Sequence, residues 1–204
     1  MVGFYNYTVY LTYIGLLSSL LGIFLAFTGN IGGAVICLLF SGLCDMFDGK
    51  IARTKKDRST DEKRFGIQID SLCDAVCFGV FPAFLGIAVG ADRWWQIAVA
   101  ALFAVCGVIR LAYFNVTEET RQDTTSANRR EYLGIPITAS AITAPVLLCF
   151  ADVLGDSLPN VYTAFLAVLG LGYISPIRIK KPGIILTAVM LLVGVAVLIF
   201  MLCR

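Results

Sequence analysis

The chain has 204 residues, 58% of them hydrophobic and only 15% charged. That balance excludes a soluble domain of this size; the apolar runs reach bilayer-spanning length and predict an all-α polytopic membrane bundle of about seven transmembrane helices (six to eight), one domain over residues 1–204. The net charge of +2 says little about partners, no nucleic-acid partner is expected, and the absence of histidine excludes a phospho-histidine intermediate, a His general base and a Ser-His-Asp triad.

Residues 1–9 are polar and aromatic, with Tyr5 and Tyr7 before Tyr10, as at a membrane interface. Apolar patterning predicts a first helix over Tyr10–Phe27, then a tight turn at Thr28-Gly29-Asn30. A second helix runs from Ile31 into Asp45-Met46-Phe47-Asp48-Gly49, and a polar stretch follows from Lys50 to Arg64. A third helix covers Phe65–Val89, and Trp94-Trp95 marks an interfacial anchor before a fourth helix over Trp95–Phe114. Polar residues 117–132 separate it from a fifth helix at Ile135–Leu154. A sixth helix over Asn160–Ile174, a basic turn and a seventh over Ile184–Leu202 complete the chain.

Basic residues orient these spans. Segments 50–64, 110–130 and 178–181 hold seven, four and three of the sixteen Lys and Arg, leaving only Arg93 and Arg204 elsewhere. With seven spans the three basic segments alternate onto one face, which the positive-inside rule makes cytoplasmic. The seven cysteines sit mostly inside apolar runs, without paired metal-ligand spacing, and read as small buried hydrophobes. The first apolar run lacks a basic leader and continues into more membrane, so no cleavable signal peptide is expected.

Four carboxylates stand out at that face. Asp45 and Asp48 close the second helix, and Asp70 and Asp74 open the third. Residues three or four apart share a helix face, so each pair points one way. Two like charges about 4 Å apart repel by roughly 4 kcal/mol at an effective dielectric near 20. Four acids gathered beside apolar runs therefore need cations, shifted protonation or both. Carboxylate oxygens favour magnesium or manganese, and a pair of such ions suits phosphoryl displacement, so a two-metal site is expected. Gly49 and Gly66 leave room for a ligand, Ala52 is small on the same turn as Gly49, and Arg53 supplies a cationic fork for a phosphate oxygen.

The pattern Asp45-x2-Asp48-Gly49-x2-Ala52-Arg53 followed by Gly66-x3-Asp70-x3-Asp74 resembles the signature of the CDP-alcohol phosphotransferase family. The resemblance implies a helical, usually dimeric membrane enzyme that moves a phosphoalcohol group from a CDP-alcohol to an acceptor hydroxyl and releases CMP. It implies that Asp45, Asp48 and Asp70 bind two divalent cations, with Asp74 ligating one and serving as general base. Gly49, Ala52, Arg53 and Gly66 would line the cytidine and diphosphate pocket. The twelve residues between Arg53 and Gly66 are a longer interval than is usual there, and residues 54–65 are expected to bulge into the cytoplasm. Of the family's Pro-Asn-x-x-Thr motif before helix one, only Thr8 and Thr12 are echoed.

Asp70-Ser71, Asp74, Phe78 and Pro82, with Arg110–Val116 and Leu133–Ala139, look like the membrane-spanning class of phosphatidylserine synthases. This likeness implies CDP-diacylglycerol as donor and L-serine as acceptor, with Ser71, Arg110 and Asn115 in an acceptor pocket. It implies a homodimer in the cell's inner membrane, its active site facing the cytoplasm. Phe78 and Pro82 read as shape, with Pro82 a source of a kink. Glycerol 3-phosphate or an inositol phosphate remains an alternative acceptor, with Arg129 and Arg130 as extra cations. A divalent-cation transporter is an alternative of another class, but its acids would have to line a path across the membrane.

Overall fold

The computed structural model describes residues 3–52, 54, 55, 57, 59–124, 131–180 and 183–203. It is an all-α membrane bundle. Helix α1 spans Tyr10–Phe27 and α2 Ile31–Ala52. One helical path then runs from Thr60 to Ala88, as α3 (Thr60–Asp74), a π-helical segment (Ala75–Val80) and α4 (Phe81–Ala88). Helix α5 spans Trp94–Thr124, α6 Ser140–Leu148, α7 Ala151–Leu154, α8 Leu158–Ile174 and α9 Ile184–Leu202. Among the described residues, five helical stretches are long and apolar enough to cross a membrane, and Ile137–Leu148 and Thr187–Leu202 are shorter apolar helices. With this composition and this helix set the protein is an integral, multi-pass membrane protein.

Helices α1 and α2 form the tightest pair. The buried residues of α1 are Thr12, Gly15, Ser19, Gly22 and Ala26, a stripe of small side chains at helical spacing. Across it the Ser19 and Ser41 hydroxyls lie 2.8 Å apart, and Ser41 also donates to the Gly15 carbonyl at 2.8 Å. Ser18 donates to the Cys37 carbonyl at 3.1 Å. A Cβ on Gly22 would stand 2.8 Å from Cys37 Cβ and run into the Phe81 ring. Such close approach through small residues and interhelical hydrogen bonds is how helices associate where lipid removes the hydrophobic drive.

Three predicted boundaries are corrected. Helix three begins at Thr60 rather than Phe65, because Ser59 caps it. The Ser59 hydroxyl accepts from the Glu62 amide at 3.1 Å, and the Glu62 carboxylate accepts from the Ser59 amide at 3.0 Å. Half of the expected bulge is thus an extra turn and a half of helix. Helix four continues past Phe114 to Thr124, through Glu, Arg and Gln that favour helix without needing burial. Predicted helix five starts as a 3₁₀ turn at Ile137–Ala139, stops at Leu148, and resumes for one turn at Ala151–Leu154. Phe150 adopts φ −92°, ψ 10°, and Gly155 turns the chain with φ +46°. Cys203 is exposed and Cys106 and Cys149 are half-buried, whereas Cys37, Cys44, Cys73 and Cys77 are buried as expected; all seven are free thiols.

Polar segments distant in the sequence meet in two places. Strands β1 (Glu131–Leu133) and β2 (Arg178–Lys180) pair antiparallel, with Tyr132 opposite Ile179. Tyr7 and Thr54 hydroxyls lie 3.1 Å apart, and Asn6 donates to Glu62 at 3.2 Å. Lys55 pairs with Glu62 at 2.8 Å, so one carboxylate ties the N-terminal segment, the 54–59 loop and the start of α3. At the opposite end, buried Gln96 donates to Asn160 at 3.1 Å. Gly22→Val should overpack the α1–α2 seam by about 1–3 kcal/mol. The check is a lowered thermal midpoint of the purified protein in detergent, with Gly32→Ala, where an added Cβ meets nothing closer than 4.0 Å, as reference.

Candidate active site

Helix α2 delivers Asp45 and Asp48 in its last two turns, and α3 delivers Asp70 and Asp74 in its last two. One ligand oxygen each from Asp45, Asp70 and Asp74 falls within 4.8 Å of the other two. Asp48 stands beside this trio. It is 7% exposed and accepts a hydrogen bond from Thr12 Oγ1 at 3.1 Å. Asp45 meets Asp74, and Asp48 meets Asp70, each within side-chain hydrogen-bonding reach. Carboxylates crowded this way suit a hard divalent cation, which takes oxygen ligands and cancels their repulsion. Zinc would ask for nitrogen or sulfur that this group of three does not offer.

A cavity of about 160 Å³ opens next to the acids. Asp48, Gly49 and Ala52 of α2 line it, with Lys63, Gly66, Ile67 and Asp70 of α3 and Thr8, Val9 and Thr12 at the start of the chain. A Cβ on Gly49 would meet nothing within 4 Å, so that position borders open space. The volume falls below the roughly 300 Å³ at which pockets enclose a whole drug-sized ligand. It suits the polar head of a larger molecule whose remainder stays outside. Of the four residues expected to line a nucleotide pocket, three do line this cavity; Arg53 lies outside the described residues, as do Arg129 and Arg130.

Of the expected acceptor residues, Ser71 and Asn115 meet. Ser71 donates to Asn115 Oδ1 at 2.9 Å, linking α3 to α5. Arg110 is half-buried, donates from Nε to the Ile135 carbonyl at 2.6 Å, and lies within electrostatic reach of both Asp45 and Asp74. Its guanidinium also sits 5.8 Å from the Phe114 ring centroid. Phe78 and Pro82 contribute backbone shape. Pro82 has no N–H to return to Phe78, and the Phe78 carbonyl instead accepts from Ser140 at 2.9 Å. The intervening π-helical turn starts directly after Asp74, a frequent placement beside functional residues.

The chain matches the family model for CDP-alcohol phosphatidyltransferases over residues 5–171. It belongs to that family. The matched span takes in α1–α7 and nearly all of α8, with every carboxylate described above. Archaetidylserine synthase from Methanothermobacter thermautotrophicus is 35% identical over 127 residues, 62% of this chain and 50% of that protein. A CDP-diacylglycerol–serine O-phosphatidyltransferase from Helicobacter pylori is 33% identical over 143 residues, 67% of this chain and 55% of that one. Another from Methanocaldococcus jannaschii is 31% identical over 172 residues, 84% and 72% respectively. The chain spans about half the length of the first two of these relatives.

Two participants escaped the signature. Thr12 is only an echo of a motif in the sequence, yet it continues the buried α1 stripe and reaches Asp48. The stripe's spacing is the available signal. Lys63 is one charge of a polar stretch in the sequence; its place on the cavity goes with the earlier start of α3. Thr12→Val keeps the shape and removes the donor to Asp48. Manganese binding, followed by electron paramagnetic resonance, should weaken by about tenfold, as for loss of a hydrogen bond to a charged group. Asp70→Asn should weaken it further, because Asp70 belongs to the trio and also meets Asp48.

Proposed function

We propose that this protein transfers the phosphatidyl group of CDP-diacylglycerol to the hydroxyl of L-serine, giving phosphatidylserine and CMP. The observation that carries the reading is the trio Asp45, Asp70 and Asp74 beside a cavity edged by the small residues of the same motif. Family membership supports the transfer chemistry, and serine occurs in the names of all three relatives. Residues 1–204 act as one membrane-embedded domain. The protein works as a homodimer in the cell's inner membrane, with the site toward the cytoplasm, as the distribution of Lys and Arg favours.

Asp45, Asp48, Asp70 and Asp74 would hold two magnesium or manganese ions. Such ions, when bound, neutralise phosphate charge and stabilise the attacking and leaving oxygens. The protein's own groups do the rest. Gly49, Ala52 and Gly66 admit the diphosphate close to the backbone, and Arg53 neutralises further charge. The acyl chains remain in lipid, in keeping with the small cavity. Arg110 attracts the serine carboxylate, while Ser71 and Asn115 orient the amino acid. Asp74 accepts the proton of the serine hydroxyl as its oxygen bonds to the phosphorus that carries diacylglycerol. The bond from that phosphorus to the CMP oxygen breaks, and CMP departs with the electron pair. Without His or a positioned protein nucleophile, a single displacement is the simpler course.

A second reading concerns only the donor's chains, because the relative from Methanothermobacter is named for archaetidylserine. Purified protein with CDP-diacylglycerol and manganese should release CMP with L-serine, and not with glycerol 3-phosphate or inositol phosphate. CMP release with another acceptor would overturn the serine assignment, and cation movement into liposomes without CMP release would favour a transporter. Asp74→Asn should lower turnover by about 10²–10⁴-fold, the range for loss of a general base. Excess EDTA should abolish turnover, and added manganese should restore it.

A further inference from the structure

We infer that Lys63 is a substrate-binding cation, contacting the diphosphate of the CDP-lipid in the cavity that Gly49 and Ala52 also line. The inference rests on the function proposed above and adds to it a residue that lies outside the family motif.

Lys63 lines the same cavity as Asp48, Gly66 and Asp70. It enters because Ser59 and Glu62 start α3 early, so Lys63 stands on the first turn of a helix instead of in a loop. Glu62 fixes that turn, since its carboxylate is held by Lys55 at 2.8 Å, by Asn6 at 3.2 Å and by the Ser59 amide at 3.0 Å. Glu62 is thus engaged elsewhere. Among the described residues, no carboxylate comes within ion-pair distance of the Lys63 ammonium. The helix gains nothing from this charge either, because a cation near an N-terminus opposes the helix dipole. An exposed cation on the lining of a cavity, without a carboxylate partner among the described residues and disfavoured by its own helix, is suited to a ligand anion. A diphosphate adds negative charge beside Asp48 and Asp70, and a lysine on the same cavity offsets that repulsion. Lysine serves there as a compact point charge with three donors.

In the proposed function serine is held by Arg110, Ser71 and Asn115, none of which lines this cavity, so the two substrates should respond differently. Lys63→Met should raise KM for CDP-diacylglycerol by about tenfold, the loss of one charge-assisted contact. KM for L-serine should stay within about twofold, a split that marks lost binding of one substrate. Lys63→Arg should recover most of the CDP-diacylglycerol affinity. Equilibrium binding of CDP-diacylglycerol in detergent micelles should follow the same order without turnover. Unchanged KM for CDP-diacylglycerol in Lys63→Met overturns the inference. So does a rise in KM for serine alone, or an equal rise in both with a lowered thermal midpoint, or failure of Lys63→Arg to recover. Wild-type protein that releases no CMP with any acceptor would remove the proposed function itself. Active wild type with an indistinguishable Lys63→Met removes only the role of Lys63.

Discussion

Lipid gives α1 and α2 no hydrophobic reason to associate, yet everything at the site depends on their contact. The Gly15, Ser19 and Gly22 side of α1 lets the backbones approach, and Ser41 joins them by hydrogen bonds to Ser19 and to the Gly15 carbonyl. These bonds are made where no water competes, and they fix the axial position of one helix against the other. The same register brings Thr12 opposite Asp48. A slip of one residue would turn the Thr12 hydroxyl away and leave a buried carboxylate without its donor. The first acid pair is therefore located by packing that begins well away from it.

The second pair is located by a different device. The helix that carries Asp70 and Asp74 widens into a π-turn immediately afterwards, and Pro82 follows. Neighbouring helices take up the carbonyls around it: Ser140 donates to Phe78, and Tyr162 to Pro82 at 3.1 Å. Tyr173 secures the start of the next apolar segment by donating to the Ile137 carbonyl at 2.9 Å. Ile135, two residues earlier, holds Arg110 through its own carbonyl. Asp74 and Arg110 thus rest on one connected frame of buried hydrogen bonds, so a carboxylate and a guanidinium on different helices keep a common site.

At the polar face, Glu62 gathers the N-terminal segment, the 54–59 loop and the first turn of α3, while β1 and β2 join two further segments. The cavity lies between this polar assembly and the acids. It is open to a charged head group and too small for acyl chains.

The helical bundle and the two acid pairs were legible in the sequence. Each depends on periodicity or on offsets of three and four, which a helix converts directly into a common face. Gly49, Ala52 and Gly66 were legible for the same reason, as fixed offsets from the acids. Helix ends were less so. Ser59 and Glu62 cap α3 through two short hydrogen bonds that hydropathy does not register, and polar residues after Phe114 continue a helix that no longer needs lipid. The tertiary structure alone decided that Thr12 holds Asp48, that Ile135 holds Arg110, that Asp48 stands beside the trio and that Lys63 reaches the cavity. The physical reason is one of range. Spacing along one helix is a local property written in consecutive residues, whereas which groups meet across helices depends on interhelical distance and axial register, set by many weak contacts at once.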